Sequence, residues 1–487
     1  MPNNQVEESQ KVTNPWIPDY NYKWKAMATV ALGTMMGAMD ASITNISFPI
    51  LTKIFGVSVT TIVWVSLAYI LASTSLMLIL GRVGDLFGRK RIYMTGTLIF
   101  TLGLTLCALS QNVTQLIIFR VIQAVGAAMV MACGAAIVTE AFPQNERGKG
   151  LGFLAVSVSA GLISGPVLGG FLLGWLPWRS IFYVRIPLGV FVLVMAVLFL
   201  KKDKRRTEKI RFDLWGTLFS SAGLTCLMFG INQLNRFGLN SSMFYLLVGL
   251  GLLSLIIFVF VEKHALDPIV DLSLFRNRVF TCALGSLFLM FLTYSAYILL
   301  MPFYLLQGIG LTPSKAGVMM TVVSMFAIIV GPISGCLSDR FGQARFATLG
   351  AVLTILSFWL IFGFDLESRL VDIIPALALA GLGMGMFQSP NNSSIMGAVR
   401  EYRLGTASAM LATSRQVGIS LGMALSGTIY SAQLIYHKAE LIGGGLHGAI
   451  VDRQAVSLSF SDAFFISAIL MSLVVLLSLM TRPIKTS

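Results

Sequence analysis

Stretches of about twenty apolar residues, divided by short polar segments, recur down the whole 487-residue chain. Each is long enough to cross the ~30 Å hydrocarbon core of a bilayer as a helix. The pattern predicts fourteen spans, at 25–47, 62–80, 92–109, 114–138, 150–174, 181–200, 214–232, 243–261, 280–304, 316–336, 346–364, 373–394, 404–430 and 463–481. An all-α membrane protein is expected. Residues 1–24 are polar and include Glu7, Glu8 and Pro15, with no basic-then-apolar start, so a cleaved signal peptide is not expected. Trp16, Tyr20, Tyr22 and Trp24 predict an aromatic anchor at the membrane surface.

Composition agrees: 56% of residues are hydrophobic, 11% are charged, and the mean hydropathy is +0.82, too apolar for a soluble chain of this length. Cys107, Cys133, Cys226, Cys282 and Cys336 all fall inside predicted spans without a metal spacing and read as small packing residues. A net charge of +14 invites a nucleic-acid reading, but the placement of the charge excludes it. With the N-terminus inside, twenty-five of the 35 Lys/Arg lie in inner segments, seven in outer ones and three in the membrane. This bias predicts cytoplasmic N- and C-termini. The densest cluster, Lys201 to Arg206, reads as a topology determinant lying against anionic headgroups.

The chain also repeats. Gly81-Arg82-Val-Gly-Asp85-Leu-Phe-Gly88-Arg89-Lys90-Arg91 recurs 254 residues later as Gly335-Cys-Leu-Ser-Asp339-Arg340-Phe-Gly342-Gln-Ala-Arg345. Gly161 and Gly165 pair with Gly418 and Gly422 at an offset of 257. Duplication accounts for both, and predicts a 6+2+6 arrangement. Residues 25–200 form one six-helix half, 201–279 a basic loop, two inserted helices and a connecting loop, and 280–487 the other half with an outer loop at 431–461. Two halves related by an axis along the membrane normal suit a transporter with a central site.

Arg120 lies in the otherwise apolar stretch Leu116 to Val138. A charge there costs about 2.5–3.5 kcal/mol on insertion scales and normally faces a partner or a wet cavity. Gln123 shares its helical face. Asp40, about fifteen residues into the first span, shares a small polar face with Gly33, Gly37 and Thr44. Two readings of Asp40 fit: a proton site that switches between paired and protonated states, or an acid paired throughout. Arg120 either tunes it or satisfies backbone carbonyls. By depth both fall in the outer half, and contact between them is left open. Gly161, Gly165 and Gly169 form one smooth stripe beside Pro166, for sliding or for static packing.

Gly81 to Arg91 resembles the loop signature of the major facilitator superfamily. Arg120-Val-Ile-Gln123-Ala-Val-Gly126 resembles its fourth-helix motif, with Ala124 where glycine is usual. Gly161 to Gly170 is similar to the fifth-helix motif of its antiporters, and Met39-Asp40 through Pro49 to the first-helix motif of its drug antiporters. The resemblance covers almost the whole chain and points to the fourteen-helix drug:proton antiporter branch. It implies proton coupling through Asp40 and Arg120. It implies helix packing and hinging at Gly161, Gly165, Pro166, Gly169, Gly170, Gly418 and Gly422. It also implies a conformational latch at Gly81, Asp85, Gly88, Arg89, Arg91 and Asp339, for which the plain alternative is topology. Arg185 stands where this family usually has asparagine, and is expected to add positive charge near the outer mouth.

Asn45, Tyr69, Gln123, Tyr294, Tyr297, Gln388, Asn391, Asn392 and Arg415 are candidates to line a substrate cavity, with packing or interfacial anchoring as the alternative. Gly381-Leu-Gly383-Met-Gly385 lacks the preceding strand a nucleotide loop requires. His264, His437 and His447 fall in loops without partners nearby, so no enzyme is expected. Asp40 is the one acid placed well inside, against Arg120 and Arg415, so the interior is not visibly cation-attracting.

The expected protein is a proton-coupled secondary transporter that exports amphiphilic small molecules by alternating access. It needs no cofactor or metal, and its partners are substrate, protons and the lipid bilayer, with no nucleic acid. A monomer in the inner (cytoplasmic) membrane is expected. The alternatives are an exporter or flippase of a specific anionic or lipidic metabolite, with or without proton coupling, and a non-transporting receptor.

Overall fold

The computed structural model describes residues 20–143, 146–201, 214–232, 241–264, 272–399 and 404–481. Trp16 and most of the Lys201 to Arg206 cluster lie outside them. The described chain is helical throughout, in fourteen long helices. They are α1 (Tyr20–Phe55), α2 (Val59–Phe87), α3 (Arg89–Leu109), α4 (Val113–Ala141), α5 (Arg147–Trp175), α6 (Arg185–Phe199), α7 (Leu214–Asn232) and α8 (Ser242–His264). After them come α9 (Arg278–Phe303), α10 (Pro313–Phe341), α11 (Gln343–Phe362), α12 (Leu370–Gly397), α13 (Leu404–Gly443) and α14 (Ala449–Met480). Among the described residues, twelve segments are long and apolar enough to cross a membrane.

Local chemistry starts the helices where polar side chains take up free amides. The Asn112 side chain accepts from Gln115 N at 2.9 Å, and Asn277 from Val279 N at 3.0 Å. Pro313 occupies the first turn of α10, where its missing N–H costs nothing. Inside the bundle, Thr29, Thr97 and Thr101 donate back to the carbonyls four residues earlier, so their hydroxyls carry no unmet polarity into lipid.

Helices run alternately from the face where α1 begins, here the proximal face, to the opposite, distal one. Among α1–α6, α1 packs on α5, α4 and α6, and α3 on α4. Among α9–α14, α9 packs on α13 and α14, and α12 on α10 and α11. Between the groups α5 meets α10 and α13 meets α2, pairings related by a step of eight helices. Helices α7 and α8 pair with each other, and α7 also touches α2 and α13. Gly88 and Gly342 close α2 and α10 in the same positive-φ conformation, 108° and 101°. The duplicated loop therefore keeps its backbone as well as its residues.

Residues 431–461, expected as a loop, are helical apart from a turn at 444–448. The reason is local. Pro is absent from 431–461 and Gly occurs only at 443–445 and 448, while Leu434, Leu441, Val451, Ala455 and Phe460 continue an apolar face. Forty residues make α13 about 60 Å long, so the hairpin of α13 and α14 reaches beyond a bilayer core on the distal side. His437, also expected in a loop, sits on α13 with its Nε2 2.7 Å from Asp462 Oδ2 on α14 and its Nδ1 3.3 Å from Glu440.

Candidate functional site

Asp40, Arg120 and Arg185 meet inside the first six helices, at 0%, 0% and 1% exposure. Such burial is tolerable only because the charges offset one another. Arg120 Nη1 donates to Asp40 Oδ2 at 2.6 Å and to Gln123 Oε1 at 2.8 Å, and Arg120 Nε donates to Val65 O at 3.1 Å. Gln123 Nε2 donates to Asp40 Oδ1 at 3.0 Å. Arg185 Nη1 donates to the same oxygen, while its Nε donates to Ile181 O at 2.8 Å. The guanidinium of Arg120 lies 4.2 Å from the centre of the Tyr69 ring. One carboxylate thus joins α1, α4 and α6. The Nη2 atoms of both arginines are buried without a hydrogen-bond partner.

The contact between Asp40 and Arg120, open in the sequence, is therefore made. Arg185 is not at an outer mouth as expected. The short helical turn Ser180–Tyr183 leads straight into α6, which begins at Arg185 and turns its side chain inward onto Asp40. The signal that could have found it was the count of membrane charges: an arginine in a span beside a single acid calls for that acid. Glu262, one residue past its expected span, is also buried.

Other expected residues fall in different places. Asn45 is buried and accepts from Ser66 Oγ at 3.2 Å. Asn391 is buried; it accepts from Ser286 Oγ at 3.0 Å and donates to Ala283 O at 3.0 Å, fastening α12 to α9. Asn392 keeps a buried Oδ1 without a partner, and Gln388 is half-buried. Tyr297 is buried and donates to Met320 O at 3.0 Å, with the Tyr294 ring 5.3 Å away. Arg415 is half-buried, its guanidinium 5.7 Å from the Phe291 ring.

The glycine stripe meets α1: Gly161 lies on Met35 and Ala38, Gly165 on Ser42, and Gly169 on Ile43 and Ile46. Gly418 and Gly422 meet α9 in the same way, at Phe288 and Leu292. Gly170 and Pro166 instead face Gly317 on α10. In the latch loop, Arg89 Nη1 donates to Ala136 O at 3.3 Å and to Glu140 at 3.2 Å on α4, Gly81 abuts Ala132, and Arg91 and Asp339 are exposed. The side chain of Asp85 lies outside the described residues.

At the distal face, Gln307 Nε2 donates to Pro49 O at 2.9 Å and Ser314 Oγ to Gly170 O at 3.3 Å, each joining one six-helix group to the other. Gln307 lies in a π-helical turn, Tyr304–Gly308, that ends α9. Tyr304 stacks on Phe460 at 4.5 Å, and Arg453 Nε donates to Gly308 O at 2.9 Å, so α14 holds this turn.

The pattern of the Major Facilitator Superfamily matches residues 30–423. The chain belongs to that superfamily. It is similar to the riboflavin transporter RibZ of Clostridioides difficile (strain 630), 35% identical over 419 residues that cover 85% of this chain and 90% of that one. It is also similar to the multidrug resistance protein Stp of Mycobacterium tuberculosis (strain CDC 1551 / Oshkosh), 30% identical over 84% of this chain and 76% of the relative. Among solved structures, a bacterial homologue of the human lysosomal transporter Spinster, inward-facing and unoccupied, superposes with a TM-score of 0.70. It is 16% identical and covers 96% of this chain and 100% of that one, a likeness of fold alone. This superfamily member is a multi-pass membrane transporter, and its relatives and fold are those of transporters rather than enzymes.

Proposed function

We propose that the protein is a proton-coupled exporter of amphiphilic small molecules, working by alternating access. The observation that carries this reading is the junction at Asp40, where one carboxylate binds α1 to α4 and α6 through two guanidiniums. A proton on that carboxylate removes the charge holding the guanidiniums together, so proton uptake and helix movement are linked. One proton charge moving down 100 mV supplies about 2.3 kcal/mol.

In this reading residues 25–200 and 280–487 are the two halves, with the inserted pair between them. Both termini lie in the cytoplasm and the protein is a monomer in the cytoplasmic membrane. The step-of-eight pairing of α5 with α10 and α13 with α2 supports the halves. The closed distal face supports a proximally facing state, and the stripe along α1 gives α5 a surface on which to slide. The loop around Asp85 then latches the proximal side in the opposite state.

Transport in proteoliposomes under an imposed pH gradient tests the proposal. The gradient drives substrate movement in the wild type, and Asp40→Asn abolishes that drive. Movement indifferent both to the gradient and to Asp40→Asn overturns coupling through Asp40. A second reading is the uncoupled export of one metabolite, and the likeness to a relative named a riboflavin transporter supports only its single-substrate part. That reading expects saturable transport of a single compound and no response to the gradient.

A further inference from the structure

Three arginines were expected inside spans, and two of them share Asp40. The third, Arg415, has no ion pair to a carboxylate among the described residues, and its side-chain contact is the Phe291 ring. Its direction follows from its neighbours on α13. Gly418 and Gly422 meet α9, while Gln416 and Ser420 line a cavity with Leu71, Thr74 and Ser75 of α2. At about 100° per residue, Arg415 falls on the arc between these two contacts. Thr428, on the far side of α13, donates instead to Ile231 O of α7. Arg415 therefore faces inward, where the two groups of helices confront each other.

The surroundings are aromatic. Phe291 lies under the guanidinium, and Tyr294 stands one turn farther along α9 with its ring against Tyr297. The Tyr297 hydroxyl is tied to Met320 O, which fixes that ring and leaves Tyr294 as a platform. An unpaired guanidinium over the Phe291 ring, with the Tyr294 ring one turn along α9, takes a flat apolar group that bears an anion: the rings accept the apolar body and the fork accepts carboxylate, sulfonate or phosphate oxygens. The junction at Asp40 adds two guanidiniums to one carboxylate, so the interior charge also favours an anion.

We propose that Arg415, Phe291 and Tyr294 form the substrate subsite, and that the substrate is an aromatic amphiphile with an anionic group. This rests on the transport reading above but not on proton coupling. It is tested by fluorescence titration of the transporter in lipid nanodiscs, corrected for empty nanodiscs. The probes are 8-anilino-1-naphthalenesulfonate and N-phenyl-1-naphthylamine, which share their rings and differ in the sulfonate. The wild type binds the anion about tenfold or more tighter than the neutral probe. Arg415→Gln removes that preference, Arg415→Lys keeps most of it, and Phe291→Leu weakens both probes. Equal affinities in the wild type, or a preference unchanged in Arg415→Gln, overturn the proposal. No gradient is applied, so a failure of coupling at Asp40 leaves this result unaffected.

Discussion

Arg185 and Arg120 grip opposite oxygens of Asp40, so that one acid stands between two bases with almost no exposed surface among the three. The balance is uneven, and the consequence of losing each member differs.

Asp40→Asn strands two guanidiniums beside each other in the bundle, and is expected to cost about 3–5 kcal/mol. Arg185→Gln leaves the pair of Asp40 with Arg120 intact, along with Gln123, and costs less. Melting temperatures of the purified variants in one detergent give the order. An Asp40→Asn variant as stable as Arg185→Gln would refute the account of the junction.

Gly317 meets Pro166 O and, 3.1 Å from where its Cβ would stand, the Cα of Gly170. Gly317→Val therefore wedges α5 from α10 at the distal end. A cysteine placed at Ser314 should then react faster with a membrane-impermeant maleimide, while transport falls. Unchanged labelling would show that this approach does not hold the face shut.

Gln307→Ala deletes a hydrogen bond from α9 to Pro49 O that is worth about 0.5–1.5 kcal/mol. The ratio of distally closed to distally open molecules should fall by up to about tenfold. Spin-label distances between the distal ends of α1 and α9 read this directly, and a distribution identical to wild type contradicts it.

Gly88 and Gly342 hold φ values of 108° and 101°, which L side chains rarely adopt. Each substitution to alanine should cost about 1–3 kcal/mol, and the two losses should be alike. A neutral result at either position, measured by thermal unfolding, would separate the duplicated loops.

Most of the spans were legible because bilayer thickness imposes a length on apolar runs, and the duplicated loops because their residues repeat. The continuation of α13 and α14 was not: beyond the bilayer a helix no longer needs a continuous apolar run, so Ser431 to Ser461 resembled a loop. At the junction, the charges of Asp40 and Arg120 stood out but their meeting depends on how α1, α4 and α6 rotate against one another. No local pattern records that rotation. For the same reason Arg185 was visible as a charge within a span, but not as a second partner of Asp40. The glycine stripe announced a close neighbour without naming α1.

The π-helical turn at Tyr304–Gly308 carries one residue more than a regular turn, closed by Ile309 N on Tyr304 O. Relaxing it into an ordinary turn would rewind the strand of backbone beyond it by about 100°. Gln307 would swing away from Pro49 without any helix having to translate. The aromatic stack of Tyr304 with Phe364 and Phe460 opposes that rewinding.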